Sequence, residues 1–159
     1  MFPSTKQPEL LKQPLNILEE LLQFKIKPFK AESFKIVEDK MVSSQNMYQK
    51  DFLVPKINLF SKVFITQFKS TNKMRYFFSS FDLKNDYINA LTKCVNQLYD
   101  YLGPDDNGLT KFTAEDKKDI LNARYLWSGR KWKKNLCGCD IVIDAHTSEW
   151  VFLLITVSP

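Results

Sequence analysis

Val63-Phe64-Ile65-Thr66-Gln67-Phe68, then Lys69-Ser70-Thr71-Asn72-Lys73, then Met74-Arg75-Tyr76-Phe77-Phe78 is the stretch that decides the fold class. Two runs rich in β-branched and aromatic residues flank a short polar segment, which is the pattern of a β-hairpin. The spacing predicts a hairpin over 57–81. Apolar residues fall on both faces of each run, so one face should lie on the core and the other be partly covered. Downstream, Tyr87, Ile88, Leu91, Cys94, Val95, Leu98 and Leu102 recur at helical spacing. Asp82 suits the N-cap, and Gly103-Pro104 supplies a stop, so a helix is expected over 83–102. A further helix is expected over 113–127. Thr113 and Asp116 form a capping-box pair at its start, Ile120, Leu121, Ala123 and Tyr125 form its apolar side, and Ser128-Gly129 ends it. Leu136 to Asp144 alternates, and Trp150 to Val157 is nearly all apolar, so a second hairpin is expected over 136–157. Two helices between two hairpins imply an α+β domain, with a mainly antiparallel sheet and the helices packed on it.

Upstream, Leu15, Ile17, Leu18, Leu21 and Leu22 follow Pro14 and predict a helix over 14–24. Phe24 to Val37 then alternates lysine with apolar residues: Phe24, Lys25, Ile26, Lys27, Phe29, Lys30, Phe34, Lys35, Ile36. Pro28 demotes that stretch to an edge strand or an extended arm. Residues 38–55 are polar and without pattern, and read as loop. The chain is therefore expected to be one domain over 1–159, with residues 25–56 extended or loosely ordered.

The 159 residues carry 23 Lys and Arg against 18 Asp and Glu, a formal net charge of +5. Aromatic residues make up 14%, far from a disordered composition. The four glycines, Gly103, Gly108, Gly129 and Gly138, lack the spacing of a P-loop or dinucleotide site. One histidine, His146, excludes a His-rich metal site. Three cysteines, Cys94, Cys137 and Cys139, do not make a disulfide framework and fit a reducing, intracellular compartment. The first residues lack the pattern of a secretory signal, and no apolar run approaches the length of a membrane span. An intracellular protein, cytoplasmic or nuclear and without membrane contact, is expected.

Four constellations carry chemistry in principle. Arg124 to Lys134 interleaves Arg124, Arg130, Lys131, Lys133 and Lys134 with Tyr125, Trp127 and Trp132, and contains no acid. Cations meet phosphates and aromatic faces stack on unpaired bases, so Arg130, Lys131, Trp132, Lys133 and Lys134 are the candidate contacts to single-stranded nucleic acid or to an acidic partner. The hairpin adds Lys56, Lys62, Lys69, Lys73 and Arg75 beside many phenylalanines. Val63 to Phe68 resembles the first-strand motif of RNA-recognition domains, but a second strand follows it here rather than a helix, and its aromatics read as core. Cys137-Gly138-Cys139 with Asp144 and His146 offers zinc-ligand chemistry without a second ligand pair. Asp140, Asp144 and Glu149, with His146 as a base, would be the elements of a metal-dependent hydrolase or nuclease.

None of these supplies a nucleophile paired with a base. No catalytic residue, metal-ligand set or cofactor is assigned. The leading expectation is a non-enzymatic protein-interaction or assembly subunit of a larger intracellular complex. Its partner would be a protein, capping the edge formed by Phe24 to Val37 or covering an apolar patch. The alternative is a module that binds single-stranded DNA or RNA through 124–134.

Overall fold

In the computed structural model, residues 16, 18–26, 29–37, 45–51, 59–80, 87–122, 127–133, 139–146 and 150–158 are described. Seven strands form one antiparallel sheet: β1 (Lys35–Val37), β2 (Gln45–Asp51), β3 (Lys62–Phe68), β4 (Met74–Ser80), β5 (Arg130–Trp132), β6 (Cys139–His146) and β7 (Trp150–Val157). Their order is β1-β2-β3-β4-β7-β6-β5, two meanders that meet at the β4–β7 seam. Helix α1 covers residues 16 and 18–22, and α2 (Tyr87–Leu102) and α3 (Ala114–Asn122) join the two meanders. The fold is α+β, as the alternation of hairpins and helices predicts.

Side chains alternate across a strand, so register assigns each residue to a face. One face carries Val63 and Ile65 of β3, Tyr76 and Phe78 of β4, Val151, Leu153 and Ile155 of β7, and Ile141 and Ile143 of β6. All are buried, in one core with Leu18, Leu21 and Leu22 of α1, Leu91, Cys94, Val95 and Leu98 of α2, and Ile120 of α3. The described helices thus pack on this face. One transverse row of it can be followed across all seven strands: Ile36, Tyr48, Ile65, Tyr76, Ile155, Ile141, Trp132.

The first hairpin forms as expected, with β3 and β4 joined at 69–73. Asn72 takes a left-handed φ of 55° in that turn, which an Asn tolerates. The second hairpin is β6 and β7. Helix α1 closes where Gln23 turns left-handed (φ 48°) and Phe24 N–H donates to Glu19 O at 3.1 Å. The proposed start of α2 at 83–86, Asp82 included, and residues 14–15 lie outside the described residues. The Thr113–Asp116 capping box is formed: Asp116 N–H donates to Thr113 Oγ1 at 3.1 Å, and Thr113 N–H donates to Asp116 Oδ2 at 2.8 Å.

Two segments differ from the sequence reading. Gln45–Asp51, read as loop, is a strand paired along its whole length with β3. Its residues are only half-buried or exposed, so no apolar alternation marks it; the ladder to β3 fixes its conformation instead. Trp127 lies beyond α3 in irregular chain, and Arg130–Trp132, read as the tail of a basic contact, is the edge strand β5.

Candidate functional site

Strand geometry divides the basic-aromatic run. Arg130 and Trp132 point to the core and are 1% and 4% exposed, whereas Lys131 and Lys133 are exposed. Arg124, Tyr125 and Lys134 lie outside the described residues. The Arg130 guanidinium spends its five N–H donors internally. It donates to Asp116 Oδ1 at 3.1 Å and Oδ2 at 2.7 Å, and to the carbonyls of Thr110, Lys111 and Gly129 at 2.8–3.1 Å. Trp127 Nε1 donates to Asp116 Oδ1 at 3.0 Å, and Trp132 Nε1 to Gly103 O at 3.1 Å. Burial alone would raise the Asp116 pKa, but the hydrogen bonds from Arg130, Thr113 and Trp127 outweigh it and hold the carboxyl down at about 2. These residues lock α3 to β5. Of the five candidate contacts, alternation thus sends Arg130 and Trp132 inward and leaves Lys131 and Lys133 exposed, and Lys134 lies outside the described residues.

Gly129 is part of the same lock. Its φ is 62°, and a Cβ there would stand 2.3 Å from Ile143 O. The Asp105 turn then closes the outer side of β5. Asp105 Oδ2 accepts from Lys131 N–H at 3.0 Å, its Oδ1 accepts from Asn107 and Leu109 N–H, and Asp106 N–H donates to Lys131 O at 2.8 Å. Asp106 Oδ2 accepts from Lys133 N–H at 3.0 Å. The Asp-Asp-Asn-Gly turn is thus an edge cap.

The acidic and thiol sets are more dispersed. Asp140 and Asp144 share the sheet face opposite the core, two alternations apart on β6. Burial raises the Asp144 pKa, moderated by the Ala145 N–H bond at 2.8 Å and the nearby Lys131 charge. Cys139 is buried at the start of β6, and Cys137 and Glu149 lie outside the described residues. Among the described residues, no three His, Cys, Asp or Glu side chains gather to hold a metal ion. Burial pushes the Cys94 thiol of α2 up to about 12, which makes it a poor nucleophile.

Two surfaces remain. The first is the sheet face opposite the helices. Phe64 of β3, Phe77 of β4, Leu154 of β7 and Val142 of β6 lie side by side there by register, with Phe152 of β7 beside them and Met47 of β2 diagonal to Phe64, opposite Thr66, all half-buried. Phe77 and Phe152 stack with centroids 5.2 Å apart, and the Arg75 guanidinium sits over the Phe68 ring at 5.0 Å. None of these apolar side chains belongs to the core or packs against it. The hairpin's two-sided apolarity thus covers one face with helices and leaves the other without a described element on it.

The second is the β1 edge. Among the described residues nothing pairs with its outer side, and Ile36 is 68% exposed. A pocket of about 300 Å³ opens beside the start of β1, lined by Lys25, Lys30, Lys50, Ser33, Phe24 and Phe34. Lys50 Nζ lies 5.7 Å from the centre of the Phe34 ring. The edge strand or extended arm expected over 24–37 is strand only at Lys35–Val37, and Ala31–Ser33 is a 3-10 turn. Lys50 escapes notice because β2 is unpatterned. Among the described residues, no helix is long and apolar enough to cross a membrane. No family model matches the chain, and neither does any curated protein or solved structure.

Proposed function

We propose that this protein is a non-enzymatic protein-interaction or assembly subunit of an intracellular complex. The observation that carries the reading is the half-buried apolar cluster of Phe64, Phe77, Phe152, Leu154 and Val142 on the sheet face opposite the helices. Antiparallel sheets with one solvated face normally alternate apolar-in with polar-out. Here Val142, Phe152 and Leu154 occupy outward positions, next to Phe77. Apolar side chains gathered on a sheet face that no described element covers are the kind of feature that marks interaction sites. The dispersed acids and the buried Cys94 give no support to catalysis. The internal bonding of Arg130 and Trp132 removes two of the contacts on which a nucleic-acid module at 124–134 would rely. An intracellular setting accords with the low cysteine count.

The test is affinity capture from native extract with wild-type bait and with Phe152→Asp/Leu154→Asp bait, read by quantitative mass spectrometry. A charge on the exposed face of α3, Lys118→Glu, serves as the control. The expected result is a partner recovered at least tenfold less with the double variant and equally with the control. Circular dichroism and thermal unfolding must be unchanged for the comparison to count. Equal recovery by all three baits overturns the reading.

A further inference from the structure

We infer that the β1 edge is a docking site for an acidic, extended peptide segment of a partner, which adds as an eighth strand. This deepens the proposal of a protein-interaction subunit and rests on it. Three features of the edge point the same way.

The first is Ile36. It stands in the transverse row whose next members inward are Tyr48 and Ile65. Ile65 is fully buried, while Ile36 is 68% exposed. The core-side layer therefore ends one strand short of the sheet. An added strand would place a side chain beside Ile36 and bring backbone donors and acceptors to the outer side of β1. This is how edge strands capture extended peptides: main-chain bonds give affinity and neighbouring pockets select side chains.

The second is charge. Residues 24–37 contain Lys25, Lys27, Lys30 and Lys35 against a single acid, Glu32. Lys50 of β2 joins them at the pocket. Lys25 is 3.7 Å from Glu19 and is partly offset by it, Asp51 is 3.9 Å from Lys62, and Lys30 and Lys50 carry the charge of the pocket. Register puts Lys35 on one face of the edge and Lys50 on the other. A strand with acidic side chains on either face meets a cation.

The third is the pocket. It is lined by three lysines, Lys25, Lys30 and Lys50, together with Phe24, Phe34, Ser33 and Gln23. That mixture fits a carboxylate carried on an apolar stem, a glutamate side chain above all. Charge also disfavours two other occupants. A second copy would bring the same basic segment, four lysines against one acid over 24–37, to the edge, and like charge opposes self-pairing. The chain's own residues 1–15 contain Lys6 and Lys12 against Glu9, and are not acidic.

The experiment selects binders to the full-length protein from a displayed library of random nine-residue peptides. The best binder is then measured by fluorescence anisotropy. The expected binders are rich in Glu and Asp with alternate apolar residues. Affinity should fall at least tenfold with Lys30→Glu/Lys50→Glu and at least tenfold with backbone N-methylation of the peptide. A neutral or basic consensus overturns the inference, as does the absence of any enriched peptide. Undiminished binding of the N-methylated peptide shows charge attraction without strand addition and also overturns it. A labelled oligothymidine that binds more tightly than the peptide, and is weakened by the same charge reversal, assigns the edge to nucleic acid instead. Phe152→Asp/Leu154→Asp should leave peptide affinity unchanged. Failure of the edge with the partner still lost on that double variant therefore leaves the broader proposal standing, and the converse pattern separates them equally.

Discussion

The two edges of the sheet are built on opposite principles. At β5 the row that crosses the sheet ends in Trp132, buried and bonded to Gly103 O, and the strand's outer backbone is closed by Asp105 and Asp106. At β1 the same row ends in Ile36, exposed, with lysines around it and no described element beyond. Both edges are three residues long. The difference is therefore one of chemistry. One edge is sealed by buried polar groups that satisfy each other. The other is kept soluble by charge and left able to pair. A sheet can thus hold one edge as structure and offer the other as a surface.

The comparison breaks most severely at Arg130. Arg130→Ala leaves Asp116 buried with its charge uncompensated, and should cost about 3–5 kcal/mol of stability in chemical denaturation. The double variant Arg130→Ala/Asp116→Ala should lose much less than the sum of the two singles, because both remove the same pair. Asp105→Ala should follow at about 2–3 kcal/mol, since three backbone N–H groups lose a carboxylate acceptor. It also uncaps β5, so light scattering on storage should rise above the wild type, as it should not for Ile36→Thr at β1.

The sequence shows these edges unequally, for physical reasons. The hairpins and α2 are legible because each buries a regular stripe, and Cys94 and Leu98 fall where the periodicity puts them. The capping box at Thr113 is legible because its partners are local. Arg130 is not. A cation is normally solvated, and its burial here depends on Asp116, 14 positions earlier, brought alongside only by tertiary structure. The cations of 124–134 look alike in one dimension, and among the described ones strand alternation buries Arg130 and exposes Lys131 and Lys133. β2 is illegible for a related reason: Gln45–Asp51 is held by pairing on both sides while its own side chains bury little. The β1 edge is readable as an edge from Pro28 and the lysine alternation, but its pocket needs Lys50 from the strand that the sequence hides.

Acid should sharpen the contrast between the edges. The folded-state pKa of Asp116 is depressed from an ordinary 3.8 to about 2. A depressed carboxylate stabilises the fold above its unfolded-state pKa, and that contribution disappears as pH falls through the folded value. The window is therefore from about pH 4 down to about pH 2, and the loss is about 2 kcal/mol. Urea unfolding at pH 5 and at pH 2 should show this difference in the wild type beyond that of Asp116→Asn, which lacks the titrating group. Amide hydrogen exchange should accelerate at β5 over the same interval, with β1 amides unaffected by it.

The smallest expected effect is at Ile36, and its smallness is informative. An isoleucine at a central position of the same row, such as Ile65, is fully buried, and truncation there carries the usual core cost. Ile36→Thr keeps a β-branched side chain suited to a strand and removes apolar surface that is mostly in water already. Stability should change by less than about 0.5 kcal/mol, the range of ordinary surface substitutions. A measured loss above about 1 kcal/mol would mean that Ile36 is covered in the folded protein, and the two edges would then be alike. A neutral result shows that the fold does not need an apolar residue there. The isoleucine would then be serving what docks beside it, and the same variant should weaken the selected acidic peptide while leaving unfolding unchanged.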